Sequence, residues 1–185
     1  MSGALAFTDA LAAIAAARSD EIAVLTMSTL ALPDQGDSDF RLVGQMGAAA
    51  SIGLGMAIGR PDQAVWVLDG DGSLLMALSV LAAVGDAAPP RFVHVVIANG
   101  IYAISGRQPL PAMSDWEQVA LGAGYRSTRT CSTVAELTAA LRADDPGPRM
   151  VVVRCTGGVD GLPPGSGAID PSGESARLRA VLAQR

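Results

Sequence analysis

An aspartate and an asparagine follow two apolar runs of this chain, and both side chains could bind a cation. Residues 65–68 lead into Gly70-Asp71-Gly72-Ser73, and residues 92–98 lead into Asn99, 99 − 71 = 28 positions after Asp71. Oxygen ligands of these types suit Mg²⁺, and the glycines permit close approach of a phosphate to backbone N–H groups. The pattern therefore predicts a Mg²⁺ ion that holds a diphosphate.

Strands and helices must alternate to place these two residues at one edge of a sheet. Apolar runs typical of parallel strands covered on both faces predict strands at 22–26, 64–68, 92–98 and 150–153. Helices are predicted at 4–17, 46–58, 74–84 and 175–183, a Thr133–Glu136 capping box predicts another as far as Leu141, and 27–43 are interpreted as a loop. We therefore expect an α/β fold with an open, mostly parallel sheet and helices on both faces, which binds ligands at the carboxyl ends of its strands.

The composition favours a single domain over residues 1–185, in which 156–185 form a glycine- and proline-rich linker and a short C-terminal helix. Hydrophobic residues make up 50% of the chain and charged residues 17%, which is not a disordered composition. The net charge of −5 argues against nucleic acid and anionic membranes as partners, so a phosphate must be held by backbone N–H groups and a metal. The longest apolar stretch, 46–59, is too short and too glycine-rich to span a membrane, and the N-terminus lacks a basic leader, so we expect a cytoplasmic protein.

With this spacing between these elements, the sequence resembles the diphosphate-binding (PP) domain of thiamine-diphosphate-dependent enzymes. The resemblance implies the thiamine-diphosphate-binding fold and two cofactors, thiamine diphosphate and Mg²⁺. It also implies the metal ligands, which are the Asp71 carboxylate, the Asn99 side-chain oxygen and the backbone carbonyl of Ile101. Ala98 stands where the family usually has a polar residue, which removes a secondary contact but no ligand.

A second segment of the resemblance, Gly44-Gln45-Met46-Gly47, precedes a helix of small residues. In the family, an apolar side chain here wedges between the two rings of the cofactor, and a carbonyl two residues earlier accepts a hydrogen bond from the aminopyrimidine. These positions fall on Met46 and Gly44. For Met46 the alternative is a methionine of the hydrophobic core. For Tyr102, which follows the Asn99 turn, the alternative is an ordinary core aromatic residue. The implied cofactor contacts are Ser28, Thr29, Gly44, Gln45, Met46, Gly47, Gly70, Asp71, Gly72, Ser73, Leu74, Asn99, Ile101, Tyr102 and Ala103.

A narrower resemblance covers residues 44–58, 69–78 and 99–109, which are similar to the β subunits of sulfopyruvate decarboxylase and to the C-terminal part of phosphonopyruvate decarboxylase. It implies a decarboxylase that acts on a small 2-oxo acid. Arg107 and Gln108 are candidate substrate contacts, because a guanidinium can donate two hydrogen bonds to an anionic head group. A solvated loop arginine is the alternative.

The only histidine and the two cysteines are interpreted as parts of the core. His94 lies inside the apolar run 92–98, where a hydrogen-bonded structural histidine is the more frequent case. Cys131 and Cys155 have neither zinc-binding nor redox spacing.

A catalytic group of the family has no counterpart in these motifs. In thiamine-diphosphate enzymes, a glutamate from a separate pyrimidine-binding domain activates the aminopyrimidine. The glutamates of this chain lie in none of the motif turns; they are Glu21, Glu117, Glu136 and Glu174. The resemblance therefore implies a pyrimidine-binding α subunit that completes the site in a hetero-oligomer. The alternatives are a subunit of another thiamine-diphosphate enzyme, acetolactate-synthase-like or 2-oxoacid-oxidoreductase-like, and a non-catalytic cofactor-binding subunit.

Overall fold

The main sheet consists of parallel strands, as the sequence predicts. A computed structural model describes residues 3–111, 115–159 and 169–183. The strands are β1 (Leu5–Ala6), β2 (Ile22–Leu25), β3 (Asp39–Arg41), β4 (Val65–Gly70), β5 (Phe92–Ala98), β6 (Ile101–Tyr102), β7 (Gln108–Pro109), β8 (Ser127–Cys131) and β9 (Arg149–Thr156). The order in the main sheet is β1-β9-β5-β4-β2-β3, with β8 paired to β9, and every strand pair of this sheet in the described residues is parallel. The two short strands β6 and β7 form a separate antiparallel hairpin.

Helices cover both faces of the sheet, which confirms the α/β fold. They are α1 (Phe7–Ala17), α2 (Ala49–Gly59), α3 (Asp71–Leu75), α4 (Val80–Ala87), α5 (Trp116–Gly122), α6 (Val134–Arg142) and α7 (Pro171–Ala183). Alternate residues of β5 enter different cores: Val93 and Val95 pack with α1 and α6, whereas Phe92 and Val96 pack with α2, α4 and α5. Both faces of β5 are therefore buried, which is why its sequence is an apolar run rather than an alternating pattern. None of the described helices is long and apolar enough to cross a membrane.

The predicted helix 74–84 is wrong as a single element. The residues between α3 and α4 form turns that are tighter than an α-helix, with hydrogen bonds from an N–H to the carbonyl three residues earlier. Examples are Ala77 N to Leu74 O at 3.1 Å and Val80 N to Ala77 O at 2.9 Å. This turn exposes Met76 while Leu74 and Val80 stay buried. The break leaves α3 as a short helix whose first residue is Asp71.

The predicted loop 27–43 contains a strand that the pattern does not reveal. After a 3₁₀ turn, Gly36–Ser38, the short strand β3 pairs with β2. Its first residue, Asp39, is buried and accepts hydrogen bonds from the guanidinium of Arg18, which also bonds Glu21 at 2.9 Å. A buried ion cluster therefore fixes an edge strand that apolar alternation could not predict.

Other boundaries differ from the sequence-based ones by a few residues. Helix α2 begins at Ala49 rather than at residue 46, and α7 begins at Pro171 rather than at residue 175. The sequence pattern predicts neither α5 nor β8; β8 is a polar, half-exposed edge strand without an apolar run. The capping box of α6 is confirmed: Thr133 accepts from Glu136 N at 3.2 Å, and the Glu136 carboxylate accepts from Thr133 N at 3.1 Å. Residues 160–168 of the predicted linker lie outside the described residues.

Candidate cofactor site

Neighbouring strands bring Asp71 and Asn99 to one edge of the sheet. Strands β4 and β5 pair in parallel, with Gly70 opposite Ile97, so the residues that follow each strand lie side by side. The two turns are joined directly, because Gly100 N donates to Asp71 Oδ2 at 2.8 Å. The predicted juxtaposition of the two oxygen-bearing side chains is therefore present.

Asp71 is a buried carboxylate that has N–H partners but no cationic one. Its side chain is 4% exposed, and its second oxygen, Oδ1, accepts from Gly72 N at 2.8 Å. Burial raises the pKa of Asp71, although hydrogen bonds from Gly100 and Gly72 act in the opposite direction. No arginine or histidine of the described residues forms an ion pair with it. A buried carboxylate in this state suits a metal ion as its counter-charge.

Asn99 is held at both ends of its side-chain amide. Nδ2 donates to the carbonyl of Gly157 at 3.0 Å, and Oδ1 accepts from Ile101 N at 3.2 Å. Gly100, between the two, has φ +75°, a conformation that glycine adopts without strain. The amide oxygen of Asn99 is thereby directed to the side of Ile101, whose carbonyl is the third implied ligand.

The loop after β2 provides a second wall of the site, and its two hydroxyl residues have different roles. Ser28 faces the cavity, and its Oγ lies 3.4 Å from the position that a Cβ on Gly70 would occupy. Thr29 is fully buried beneath this wall. Its Oγ1 accepts from Thr26 N at 3.0 Å and lies 3.2 Å from Leu68 O. Thr29 therefore stabilises the loop that presents Ser28.

The segment that precedes α2 packs directly on the Asp71 turn. Gly47 N donates to Ser73 Oγ at 3.0 Å, and a Cβ on Gly47 would lie 3.0 Å from the Cβ of Ala77. Gly47 has φ +83°, so both its conformation and its surroundings favour glycine. Met46 lines the cavity with 43% of its surface exposed, which excludes the alternative of a core methionine.

A cavity of about 270 Å³ lies between these turns. Every implied cofactor contact except Thr29, Gly47 and Leu74 lines it. Thr26, Leu42, Ile97 and Val159 also line it and were not singled out by the sequence. Val159 comes from a glycine-rich segment that resembles a linker, so its pattern carries no signal for a site.

The oxygen donors fit a Mg²⁺ ion bound together with a phosphorylated ligand. The described residues contain no group of three or more His, Cys, Asp or Glu side chains that could hold a metal by themselves. One carboxylate, one amide oxygen and one carbonyl leave coordination positions free, and Mg²⁺ commonly fills such positions with phosphate oxygens and water. A Cβ on Gly72 would lie 2.8 Å from the Tyr102 ring, so glycine is needed where Tyr102 closes the cavity.

Comparison with known proteins identifies the family to which these features belong. The family described as "Thiamine pyrophosphate enzyme, C-terminal TPP binding domain" matches residues 33–155, which contain the Asp71 and Asn99 turns. The chain belongs to this family.

Relatives and solved structures agree with this assignment. The chain is 40% identical over 154 residues to the phosphonopyruvate decarboxylase of Streptomyces viridochromogenes, across 80% of this chain and 38% of that protein. It is 36% identical over 96 residues to the sulfopyruvate decarboxylase subunit beta of Methanocaldococcus jannaschii, across 51% of this chain and 50% of that protein. A putative thiamin diphosphate-dependent enzyme from Mycobacterium smegmatis has the same fold, with a TM-score of 0.70 at 24% identity over 83% of this chain and 32% of the other. The matched regions span half or less of these proteins' own lengths.

The four glutamates of this TPP-binding domain are all engaged away from the cavity. Glu21 pairs with Arg18, and Glu174 accepts from Arg41 N at 2.8 Å. Glu136 caps α6, and Glu117 accepts from Thr128 Oγ1 at 3.5 Å. None of them lines the cavity. This domain therefore presents no glutamate of its own to a ligand in the cavity.

The two candidate substrate residues lie in the hairpin beyond the cavity wall. Gln108 is the first residue of β7, and Arg107, with φ +61°, precedes it and donates its backbone N–H to Tyr102 O at 3.0 Å. Both residues are exposed, and neither lines the cavity. Their role toward a substrate stays a prediction.

His94 and the cysteines lie in the core of the TPP-binding domain. His94 is fully buried, and its Nδ1 lies 3.1 Å from the hydroxyl of Tyr125. Its Nε2 and the Oδ2 of Asp69 lack hydrogen-bond partners and face each other across 3.9 Å. Burial raises the pKa of Cys131 to about 11 and that of Cys155 to about 12, so both remain protonated thiols at neutral pH.

Proposed function

We propose that this chain is the cofactor-holding β subunit of a decarboxylase that depends on thiamine diphosphate and Mg²⁺ and acts on a small 2-oxo acid of the sulfopyruvate or phosphonopyruvate type. The observation that carries this proposal is the buried Asp71 carboxylate beside Asn99, at the edge of a cavity in a TPP-binding domain. We also propose that residues 1–185 act as one domain in the cytoplasm.

Each residue of the site has a defined task in this proposal. Asp71, the Asn99 oxygen and the Ile101 carbonyl would hold Mg²⁺, which in turn would hold the diphosphate. Met46 would support the rings of the cofactor, since it is the apolar side chain of Gly44–Gly47 that faces the cavity. When bound, thiamine diphosphate supplies the carbanion and electron sink that 2-oxo-acid decarboxylation requires.

The missing activating carboxylate supports the need for a partner. All four glutamates of the chain have structural contacts elsewhere. Met46, which lines the cavity, is 43% exposed, and Met76, which lies next to Gly47, is 63% exposed. Contiguous apolar patches mark interaction surfaces, and these two neighbouring methionines would form part of such a patch. We propose that the partner is a pyrimidine-binding α subunit that contributes the glutamate.

The substrate class is proposed from the names of the relatives, which are a phosphonopyruvate decarboxylase and sulfopyruvate decarboxylase β subunits. Arg107 and Gln108 are the candidate contacts for the sulfonate or phosphonate. If Arg107 binds that group, Arg107→Ala should raise KM for the dianionic substrate by about tenfold to a hundredfold, since a charged hydrogen bond contributes about 1.5–3 kcal/mol. Turnover of plain pyruvate should hardly change. Equal losses on both substrates would assign Arg107 to the loop or to the subunit interface.

Reconstitution tests the function directly. The purified chain is mixed with a pyrimidine-binding partner, Mg²⁺ and thiamine diphosphate, and carbon dioxide release is measured from 3-sulfopyruvate, 3-phosphonopyruvate and pyruvate. We expect turnover only when both chains and both cofactors are present. Substantial turnover by the chain alone would contradict the need for a partner, because an activating carboxylate would then have to lie within this chain. Cofactor binding without turnover on any 2-oxo acid would favour a non-catalytic subunit.

A further inference from the structure

The segment that follows the last strand of the sheet contacts the proposed metal ligand through its first residue, Gly157. After β9, residues 157–159, named here the post-strand segment, cross the end of β5. The carbonyl of Gly157 accepts a hydrogen bond from Asn99 Nδ2 at 3.0 Å, and Val159 lines the cavity. No sequence motif of the site includes these residues, because even the first of them, Gly157, lies 58 positions after Asn99.

This contact decides which end of the Asn99 amide is available to a cation. With Nδ2 on the Gly157 carbonyl, Oδ1 accepts from Ile101 N at 3.2 Å. If the amide were rotated by half a turn, Oδ1 would face the Gly157 carbonyl and Nδ2 would face the Ile101 N–H. The first contact would join two acceptors and the second two donors. An amide oxygen can bind a cation and an amide NH₂ group cannot. The Gly157 carbonyl therefore holds Asn99 in the one orientation that is able to bind metal.

The two glycines permit the close approach that the contact requires. Gly157 has φ +88°, which side-chain-bearing residues rarely adopt. A Cβ on Gly158 would lie 2.9 Å from Asn99 Nδ2 and 3.1 Å from the Cβ of Ala103. The first distance is shorter than real Cβ contacts, so any side chain at position 158 must displace Asn99, the Ala103 loop or the segment itself.

We propose that the post-strand segment is a positioning element for the metal ligand, in which the Gly157 carbonyl orients the Asn99 amide and Gly158 provides the space for that contact. The role assigned to Asn99 rests on the proposed function, whereas the contact itself does not. Gly157, Gly158 and Val159 touch no reacting atom in this proposal; they act through Asn99 and through the cavity wall.

The chain offers two reporters of this contact that need no resonance assignment. Asn99 is its only asparagine, so ¹⁵N-asparagine labelling gives a single side-chain NH₂ pair. Gly157-Gly158 is its only Gly-Gly pair, so a chain labelled with [1-¹³C,¹⁵N]glycine gives a single carbonyl–amide correlation, which reports the Gly157 carbonyl. In the wild-type chain we expect one Asn99 Nδ2 proton to be shifted downfield and protected from exchange with solvent.

Gly158→Ala is the decisive variant, with Gly122→Ala as its matched control. Gly122 is helical and exposed, and a Cβ there meets nothing within 4 Å. Gly158→Ala should abolish the protection of the Asn99 proton and shift the Gly157 carbonyl. In the reconstituted complex it should raise the Kd for thiamine diphosphate in the presence of Mg²⁺ by about tenfold to a hundredfold, the usual effect of losing a group that orients a metal ligand. Gly122→Ala should leave all three readouts at their wild-type values.

Asn99→Asp provides a second test if Gly158→Ala fails to fold. It keeps an oxygen at the ligand position and removes the Nδ2 donor, so the Gly157 carbonyl signal should shift as it does on loss of a hydrogen bond. Unchanged Asn99 and Gly157 signals, or unchanged cofactor affinity in a folded Gly158→Ala complex, would overturn the proposal. A wild-type complex that binds no cofactor would contradict the proposed function instead, and the two NMR reporters would still decide whether the contact exists.

Discussion

Two buried aspartates of this domain have opposite surroundings. Asp39, at the start of β3, is 2% exposed and meets the guanidinium of Arg18, which also contacts Glu21. Asp71, directly after β4, is 4% exposed and meets only backbone N–H groups among the described residues. The first carboxylate has its counter-charge within the chain, whereas the second has no cationic partner in the part of the chain that the structure describes. The difference separates an aspartate that stabilises the fold from one suited to a metal ion.

Replacing Arg18 tests the structural half of this comparison and should have the largest effect. Arg18→Met leaves Glu21 and Asp39 buried without their cation. We expect the free energy of unfolding to fall by about 3–5 kcal/mol, as is typical when one partner of a buried ion cluster is removed. Urea denaturation measures this loss. A loss below about 1 kcal/mol would mean that the cluster is not what fixes β3.

Asp71→Asn tests whether Asp71 is a metal ligand. The change preserves the size of the side chain but removes the charge, so Mg²⁺ loses its only carboxylate ligand. We expect the Kd for thiamine diphosphate with Mg²⁺ to rise by about 100-fold or more in the reconstituted complex. The free energy of unfolding should fall less than in Arg18→Met, because no ion pair is lost. Wild-type cofactor affinity for this variant, measured by calorimetry, would refute the metal assignment.

The stability of the chain should also depend on pH through Asp71, because burial raises the pKa of this carboxylate. In the cofactor-free chain, the folded state then binds the Asp71 proton more tightly than the unfolded state does. The stability from this group is fully present below the unfolded pKa of about 3.9 and is lost as pH rises through the raised folded pKa. Mg²⁺ needs the deprotonated form, so its affinity should fall about tenfold per pH unit below that folded pKa.

Two measurements test these trends, both made at weakly acidic pH values above the ordinary aspartate pKa. Chemical unfolding gives the stability at each pH, and titration with Mg²⁺ gives the metal affinity. Asp71→Asn is the control and should lose the stability trend of the cofactor-free chain. An identical pH profile in the wild type and this variant would assign the trend to other groups.

A third buried aspartate, Asp69, allows a further test in which a smaller loss of stability is expected. Asp69 faces His94 at 3.9 Å, and His94 in turn contacts the hydroxyl of Tyr125. Tyr125→Phe leaves His94 Nδ1 buried without a partner and should lower the free energy of unfolding by about 1–3 kcal/mol. Cofactor affinity should stay near the wild-type value, since none of these side chains lines the cavity. A large loss of cofactor affinity instead would connect this buried chain of contacts to the Asp71 turn.

The residues of the site were more predictable from the sequence than the neighbouring elements that hold them in place. Asp71 and Asn99 follow largely apolar strands, and parallel strands bring such ends to one edge, so local pattern and topology agree. The strand β3 could not be predicted this way, because it has only three residues, two of them charged, and Asp39 depends on Arg18, 21 positions earlier. Long-range ion pairing leaves no periodic signal.

Two other features could not be predicted because they depend on tertiary contacts that the local sequence does not show. The helix break after Leu75 lies inside an apolar run, where composition continues to favour helix while the turn exposes Met76. The post-strand segment contains the dipeptide Gly157-Gly158, which is typical of a linker, yet it contacts Asn99. A glycine needed for space and a glycine needed for flexibility are identical in sequence, so only the tertiary contacts distinguish them.

A crystal structure of the chain with its partner, Mg²⁺ and thiamine diphosphate would show directly whether Asp71 is a metal ligand. We expect one metal ion within about 2.0–2.1 Å of an Asp71 carboxylate oxygen, Asn99 Oδ1 and the Ile101 carbonyl, with diphosphate oxygens completing an octahedron. We also expect the hydrogen bond from Asn99 Nδ2 to Gly157 to persist in the complex. A diphosphate bound elsewhere, or a metal that does not contact Asp71, would refute the assignment of these residues as the metal site.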